Sequence, residues 1–440
     1  MRILFISDIL LTGDFVLRLK EEGNEVKLFI LEDETKGCYK NLIERVDSWR
    51  DQLDWVGKDG LIVFDDVGFG DEQAKLRAEG YTVFGGGGTA ERAEVDRQFG
   101  NDVFKQVGLQ TAEMVTFDTS TQAIRYIKEN PAAWVVKYTN GHWLKPYAFL
   151  GEEKDGSDTA AVLENYERFK INKREKVTLQ KRLFGVEIGI ARAFNGSEWV
   201  GPIEFNVEHT HLFPGNLGPI VDEMGTLAWY STDETEQLYK DTLAKFEDFL
   251  RQSDFRGFFC VSCIVNTDGV FPLEVTARFG APIIHLQKTM YKIPWANFLH
   301  DVASGKNSEV SFDKNFGVVV SVAVPPFPYR DTNIGRSLLG TKIHIRNKKS
   351  LEADDSVHFD EVASHDGTFE NLYIAGTNGY AFYTTGVGKT ITRAREAALA
   401  AVDSVYVPRM FYRDDIGVDF ETTGLLKLQA LGYLTKVSNT

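Results

Sequence analysis

Residues 258–280, FFCVSCIVNTDGVFPLEVTARFG, are the stretch of this 440-residue chain that constrains its fold most strongly. Two extended, mostly apolar runs flank the turn sequence NTDG at residues 266–269, which predicts a β-hairpin. Because side chains two apart share a face of a strand, Glu274, Thr276 and Arg278 are expected to project together. If buried, these three polar groups need partners, which Mg²⁺ and a phosphate would supply. On the pattern alone, a solvated strand face is an equal alternative.

The first 112 residues alternate between apolar strands and helical patterns. Strands are predicted at residues 2–6, 25–31, 61–64 and 81–84, and helices at residues 14–23 and 71–79. Such alternation is typical of a parallel sheet in an α/β domain, so we predict a first domain over residues 1–112. A dinucleotide oxidoreductase would also begin in this way. However, the four consecutive glycines at residues 85–88 lack the spaced G-x-G-x-x-G fingerprint with its later acidic residue.

From residue 113 the pattern changes to strands that flank single helices, which is typical of an α+β domain. We predict that this second domain covers residues 113–312, with a helix over residues 234–252 directly before the hairpin. A small, β-rich third domain is predicted over residues 313–440, closing on a helix at residues 390–404. Its predicted strands lie at residues 318–324, 371–374 and 380–384.

Composition and charge exclude several classes of protein. The net charge is −15, which argues against general binding to nucleic acid backbones because such binding requires a basic surface. The sequence contains no run of 18 or more apolar residues and does not begin with a signal-peptide pattern. We therefore expect a cytoplasmic protein that does not span a membrane and that acts on small molecules.

Five further segments, in order along the chain, match a known arrangement together with the hairpin. They are DGLIVFDD at residues 59–66, AAWVVKYTNG at 132–141, LQKRLFGVEIGI at 179–190, PGNLGPIVDEMGTLAWY at 214–230 and MFYRDDIG at 410–417. With these motifs in this order, the chain resembles the ATP-grasp superfamily and, within it, the phosphoribosylamine–glycine ligases of purine synthesis. The resemblance runs along most of the chain and implies an ATP-grasp fold, with an N-terminal parallel α/β domain and a small C-terminal β-rich domain. It also implies that residues 113–180 form a small ATP-binding lobe and residues 181–312 a large lobe.

The resemblance further implies where ATP and a metal would bind. Lys137 and Arg278 would contact the transferring phosphate and act in catalysis, while Glu274 and Thr276 would ligate Mg²⁺ or Mn²⁺. The nucleotide-binding residues beside the base and ribose would be Gln180, Lys181, Leu183 and Glu187. The residues beside the substrates would be Gly218, Pro219, Asp222, Met224 and Gly225.

The implied activity is that of an ADP-forming carbon–nitrogen ligase. It would join a carboxylate, an amino acid such as glycine, to an amine through an acyl phosphate. The alternative is a nucleotide-binding protein of the same fold with reduced catalysis. Thr276 favours this alternative, because the family usually places a stronger metal ligand, asparagine, at that position. The sequence does not fix the oligomeric state.

Three other segments depart from the family pattern. Residues 7–13, SDILLTG, replace the glycine-rich loop where the sugar phosphate is expected to bind. Residues 140–146, NGHWLKP, replace a glycine-rich lid, and residues 221–223, Val-Asp-Glu, stand where the family prefers Thr-Gly-Gly. We expect these departures to alter the amine substrate more than the ATP site.

Overall fold

Three larger β-sheets organise the protein and position its pockets. The computed structural model describes residues 1–138, 148–171, 176–347 and 355–435. Within these ranges, no helix combines the length and the apolar character needed to cross a membrane. The predicted lid at residues 140–146 lies outside the described residues.

The N-terminal residues form a five-stranded sheet in the order β3-β2-β1-β4-β5, with every strand pair parallel. Its strands are β1 (Arg2–Ser7), β2 (Glu25–Ile30), β3 (Glu44–Arg45), β4 (Leu61–Phe64) and β5 (Thr82–Phe84). The helices are α1 (Phe15–Glu21), α2 (Leu53–Val56), α3 (Gly70–Ala78), α4 (Gly88–Val95) and α5 (Arg97–Gln106). The interior of β1 is fully buried, as expected when a parallel sheet is covered on both faces. The predicted α/β start is confirmed.

Residues 113–181 contain a separate four-stranded antiparallel sheet in the order β6-β9-β7-β8. Its strands are β6 (Met114–Phe117), β7 (Trp134–Tyr138), β8 (Phe149–Leu150) and β9 (Val177–Lys181). The helices α6 (Ser120–Glu129) and α7 (Ser157–Phe169) share a small apolar core with this sheet, centred on Trp134 and Leu163. This core is separate from the main one, so the segment forms a lobe of its own.

The largest sheet is antiparallel and has eight strands in the order β16-β15-β10-β11-β14-β17-β22-β19. The strands between residues 181 and 312 are β10 (Val186–Asn195), β11 (Trp199–Glu208), β12 (His211–Phe213), β13 (Leu217–Ile220), β14 (Gly225–Ser231), β15 (Arg256–Asn266) and β16 (Gly269–Thr276). The helices there are α8 (Gln237–Asp241), α9 (Glu247–Gln252), α10 (Ile283–Met290) and α11 (Trp295–Ala303). Strands β12 and β13 form a small hairpin outside the large sheet.

The prediction of a single helix over residues 234–252 is wrong. The segment is divided into α8, a 3₁₀ turn at Leu243–Phe246, and α9. Thr242 has φ −127° and ψ −96°, and its hydroxyl donates to the carbonyl of Leu238, which favours a local turn over a continuous helix.

The C-terminal residues are β-rich, as predicted, but their longest strands extend the large lobe's sheet. Strand β17 pairs with β14, and β22 and β19 continue the sheet beyond it. The elements are β17 (Phe316–Ala323), α12 (Thr332–Arg336), β18 (His344–Ile345), β19 (Val357–Phe359), β20 (Val362–Ser364), β21 (Leu372–Ile374), β22 (Tyr380–Gly388), α13 (Ile391–Val402), β23 (Val405–Tyr406) and α14 (Leu425–Ala430). The predicted closing helix is confirmed as α13, with the Thr390 hydroxyl as its N-terminal cap. One apolar core consequently joins this region to the large lobe and the N-terminal sheet.

Candidate active site

The β15–β16 hairpin brings the predicted polar triplet together. The strands pair from Cys260↔Thr276 to Asn266↔Gly269, with one extra residue, Leu273, in β16. Val275 is buried, whereas Glu274 and Thr276, on the other face, remain accessible. Although Arg278 lies just beyond the end of β16, it lines the same pocket as Glu274 and Thr276. The hairpin prediction is confirmed, and the three side chains do converge.

Arg278 is fixed by two carboxylates of the N-terminal domain. Its Nε atom lies 2.8 Å from Glu94 Oε1 and 3.2 Å from Asp66 Oδ1. The other oxygen of Glu94 accepts from the backbone amide of Ala277 at 2.7 Å. Burial by itself would lower the pKa of Arg278, but Glu94 and then Asp66 raise it above the ordinary value. The guanidinium is therefore held in place as a permanent positive charge.

A pocket of about 460 Å³ lies between α4, α5, the small lobe and β16. Lys137 from β7, Gln180 from β9 and Glu274 from β16 all line it, together with Arg97. Burial and then the positive charge of Arg97 lower the pKa of Lys137 to about 8, while Glu274 and Glu187 oppose this shift. Lys137 thus remains largely protonated at neutral pH and can bind an anion.

The predicted hinge between the lobes lies partly in this pocket. Gln180 is held between Met114 and Val135 of the neighbouring strands and lines the pocket. Among the described lining residues we do not find Lys181, Leu183 or Glu187. Even so, Glu187 lies near Glu274. Burial is the main cause that raises the pKa of Glu187, and the charge of Glu274 raises it further.

A larger pocket of about 1,000 Å³ lies where the N-terminal domain, the large lobe and the C-terminal region meet. Glu274 lines this pocket as well as the smaller one, so β16 borders both. Asp222 lines it too and accepts a hydrogen bond from the Tyr380 hydroxyl at 2.7 Å. The six carboxylate residues that line the pocket are Glu208, Asp222, Glu223, Glu274, Asp360 and Glu361.

The predicted substrate loop is divided between surface and core. Gly218 is exposed and Pro219 half-buried in the small β12–β13 hairpin, whereas Met224 is fully buried in an apolar cluster. Gly225 has φ +150°, and a Cβ atom there would lie 2.5 Å from the Val319 carbonyl oxygen, so only glycine fits. Of these five predicted residues, Asp222 alone lines the larger pocket among the described residues.

The YRDDIG run at residues 412–417 anchors this loop. Arg413 is fully buried and forms a bidentate ion pair with Asp415 at 2.8 and 2.9 Å. It also donates to the carbonyl of His211 and to the side chain of Asn216. Asp415 in turn accepts from the Gly215 amide at 2.7 Å. The C-terminal run thereby fixes the position of a loop about 200 residues earlier.

A second polar cluster lies in the interior, where α1, α10 and β19 meet. Asp14, His285 and His358 have ligand atoms within 4.8 Å of one another, which is compatible with a metal site. However, the Lys288 ammonium donates to both oxygens of Asp14 at 3.1 Å and already supplies the compensating charge. Burial lowers the pKa of His285 to about 4, so this imidazole is neutral. The cluster therefore joins three parts of the fold and needs no ion.

Several residues that line the two pockets or hold Arg278 are absent from the predicted site residues. Asp66 follows β4 at the carboxyl edge of the parallel sheet, where ligand-side residues concentrate, so position alone could have revealed it. Glu94 lies on α4 and carries no local signal. Arg330, Asp360 and Glu361 come from the C-terminal region, and only the three-dimensional fold brings them to β16.

Comparison with known proteins places these pockets in a wider context. Residues 95–283 match the family model of the phosphoribosylglycinamide synthetase ATP-grasp (A) domain. The phosphoribosylamine–glycine ligase of Clostridium acetobutylicum is 23% identical over 353 residues, 78% of this chain and 80% of that protein. The crystal structure of phosphoribosylamine–glycine ligase from Thermotoga maritima has a TM-score of 0.68 at 19% identity, covering 94% of this chain and 100% of that one. That of N5-carboxyaminoimidazole synthetase from Staphylococcus aureus, complexed with ADP, has a TM-score of 0.58 at 13% identity, covering 91% and 97%.

Proposed function

We propose that this chain, which resembles the ATP-grasp phosphoribosylamine–glycine ligases in sequence and fold, is an ATP-dependent carboxylate–amine ligase. A carboxylate is a poor acyl donor, because its leaving group would be oxide. Transfer of the terminal phosphoryl group of ATP to a carboxylate oxygen releases ADP and gives an acyl phosphate. An amine nitrogen then attacks the carbonyl carbon, loses a proton and expels phosphate. The product is an amide.

The observation that carries this proposal is that Glu274 borders two pockets. On one side it lies with Lys137 and Gln180, and on the other with Arg278 and Asp222. Phosphoryl transfer requires the nucleotide and the carboxylate to meet in line at one point, with fixed charges around it. The boundary at β16 supports such a meeting point, with nucleotide in the smaller pocket and substrates in the larger one.

In this proposal the two cations stabilise phosphate charge from opposite sides. Lys137 binds nucleotide phosphate, and Arg278, held by Glu94 and Asp66, binds the group in transfer. Neither side chain has to reorganise as negative charge moves from ATP to the acyl phosphate. Gln180, Lys181, Leu183 and Glu187 are assigned to the base and ribose.

The residues of the hairpin fit a divalent cation. Glu274 offers a carboxylate and Thr276 a hydroxyl to the same pocket, and both are the hard oxygen donors that Mg²⁺ or Mn²⁺ prefers. When bound, the cation would neutralise phosphate charge and orient the ATP chain. Thr276 is the weaker of the two donors, since its hydroxyl is neutral.

The carboxylate substrate is assigned to the substrate loop. We propose an amino acid, since Asp222 can accept from an ammonium group at the pocket wall. The surrounding Gly218, Pro219, Met224 and Gly225 would shape and hold that wall. The domains are proposed at residues 1–112, 113–312 and 313–440, with the lobes of the second meeting at residue 180.

The test is ATP consumption that depends on a carboxylate. Hydroxylamine converts acyl phosphates into hydroxamates and so replaces an unknown amine. Incubation with ATP, Mg²⁺ and a panel of amino acids should give equal amounts of ADP and hydroxamate for at least one amino acid. Glu274→Ala should abolish both products, whereas Glu25→Ala, at an exposed carboxylate on β2, should change neither.

The two functional classes give different results in this assay. ATP binding without ADP release for any amino acid would favour a nucleotide-binding protein with lost catalysis. Near-normal ADP release by the Glu274→Ala variant would refute the assignment of the metal and phosphate site.

A further inference from the structure

The larger pocket is strongly acidic for a site that would receive a sugar phosphate. Six carboxylate residues line it against two arginines, Arg278 and Arg330. Phosphate recognition instead needs several cationic or amide donors directed at one point. Burial raises the pKa values of Asp360 and Glu361, and the other four carboxylate residues still outnumber the two arginines, so the charge balance of this pocket favours a cation.

Of the two arginines, Arg278 is assigned to the phosphoryl group in transfer. The other, Arg330, is already paired with Glu32 of the N-terminal domain. The side-chain amide of Asn378, another pocket residue, also donates to Glu32, at 3.1 Å. Arg330 and Asn378, which could otherwise donate to a phosphate in this pocket, therefore bind a carboxylate of the protein itself.

In the loop that follows β1, three backbone amides already donate hydrogen bonds within the protein. The Leu10 amide donates to the Ser7 hydroxyl, the Thr12 amide to Asp65 and the Gly13 amide to the Leu10 carbonyl. Asp65 also accepts from the hydroxyls of Ser7 and Thr12, each at 3.0 Å. The loop is thus folded around a carboxylate of this chain, in the place where the family's loop is expected to hold an external phosphate.

What this loop presents to the pocket is apolar. The side chains of Ile9, Leu10 and Leu11 line the pocket wall. Behind that wall lies buried Asp65, whose pKa is raised to about 7 by burial and then by neighbouring Asp66. A phosphate here would meet hydrocarbon backed by carboxylates.

Glu361, from the C-terminal region, is a buried acid with unused hydrogen-bonding capacity. It is 1% exposed, and its Oε2 atom accepts from the amides of Asn378 and Gly379. Its Oε1 atom is buried and has no hydrogen-bond partner among the described residues. Burial raises the pKa of this carboxyl to about 8, and a bound ammonium would favour the ionised form. Neighbouring Asp360 accepts from the hydroxyl of Tyr383, a further lining residue.

We propose that the acceptor of this ligase is an aliphatic diamine, with one amine that attacks the acyl phosphate and a second, charged ammonium group bound by Glu361 and Asp360. The methylene chain would lie against Ile9, Leu10 and Leu11. This inference rests on the proposed ligase function and concerns its acceptor alone. It excludes a sugar phosphate amine as the preferred substrate.

The test compares two amines that differ by one ammonium group. With ATP and the amino acid found by hydroxamate formation, 1,4-diaminobutane and 1-aminobutane are titrated as acceptors, and ADP and amide are measured. We expect the KM of the diamine to be at least tenfold lower. Ribose 5-phosphate is a stable probe for the phosphate end of a sugar phosphate amine. At the concentration at which the diamine saturates the enzyme, ribose 5-phosphate should not inhibit the reaction.

A matched pair of variants locates the effect. Glu361→Gln should reduce the preference for the diamine at least fivefold, while Glu25→Gln, an exposed control, should leave it unchanged. The comparison of the two amines on the unsubstituted protein stands even if Glu361→Gln fails to fold. Equal KM values for both amines, or competition by ribose 5-phosphate, would overturn the inference. Hydroxamate formation in that case would leave the ligase function intact, whereas no hydroxamate and no amide would overturn both.

Discussion

Glu94→Gln tests whether the arginine beside β16 depends on the carboxylate that holds it. In the native protein one oxygen of Glu94 accepts from Arg278 and the other from the Ala277 amide. Glutamine has the same shape but only one acceptor oxygen, so one of these bonds is lost and its NH₂ group faces a donor. The substitution thereby loosens the end of β16 or the guanidinium.

The magnitude follows from the bond that is removed. A hydrogen bond between charged groups contributes about 1.5–3 kcal/mol. Asp66 remains 3.2 Å from Arg278 and retains part of the positioning, so the lower half of that range applies. Since about 1.4 kcal/mol corresponds to a factor of ten, kcat/KM should fall roughly 10- to 40-fold.

The assay is hydroxamate formation with ATP and the preferred amino acid. Glu91→Gln, on the same helix, is the control, because Glu91 accepts from the Phe69 amide at 3.2 Å and does not line either pocket. Both variants remove one buried or half-buried charge, so thermal denaturation should separate a loss of folding from a loss of positioning. If folded Glu94→Gln protein retains kcat/KM within threefold of the unsubstituted protein, Arg278 is not positioned by Glu94 and our account of the site is wrong.

Three further substitutions test other parts of the structure. Lys137→Met should raise the KM for ATP at least tenfold. In the unsubstituted protein, ATP binding should weaken as pH rises through about 8, because Lys137 then loses its positive charge. A KM for ATP that does not change with pH would contradict this. Lys288→Met should lower the free energy of unfolding by about 3–5 kcal/mol, measured by urea denaturation, because Asp14 is left buried without its main partner. Because the pKa of His285 is about 4 when folded and near 6.5 when unfolded, its contribution to stability is present above pH 6.5 and lost as pH falls toward 4. His285→Gln should flatten that part of the stability profile, and an unchanged profile would show that His285 does not cause it.

Local patterns predicted many of the helices and strands, because the spacing of apolar residues within a short segment reflects its secondary structure. The hairpin at residues 256–276 and the parallel start of the chain follow from such patterns. The break at Thr242 was missed because a helical period continues across it, although its φ of −127° and ψ of −96° are not helical. The partner of a strand is not encoded locally, which is why the pairing of β17 with β14 could not be predicted.

The candidate site shows the same division between local and distant information. The shared direction of Glu274, Thr276 and Arg278 is a property of one short segment, and the sequence alone predicts it. The carboxylate that fixes Arg278 lies 184 residues earlier, and Glu361 lies 87 residues after Glu274. Those relations arise from packing between domains, and no spacing along the chain reports them.

The departures from the family pattern that the structure describes include four residues that line the larger pocket, and this supports a changed acceptor. Leu10 from SDILLTG, Asp222 and Glu223 from the substrate loop, and Thr276 all line the larger pocket. None of them lines the smaller pocket within the described part of the chain, where Lys137, Gln180 and Glu274 keep the residue types that the resemblance requires. The buried Lys137 and the paired Arg278 fit phosphate binding in either functional class, so the hydroxamate assay, rather than their presence, separates a ligase from a nucleotide-binding protein. Selection for a different amine would change the larger pocket, where Leu10, Asp222, Glu223 and Thr276 lie.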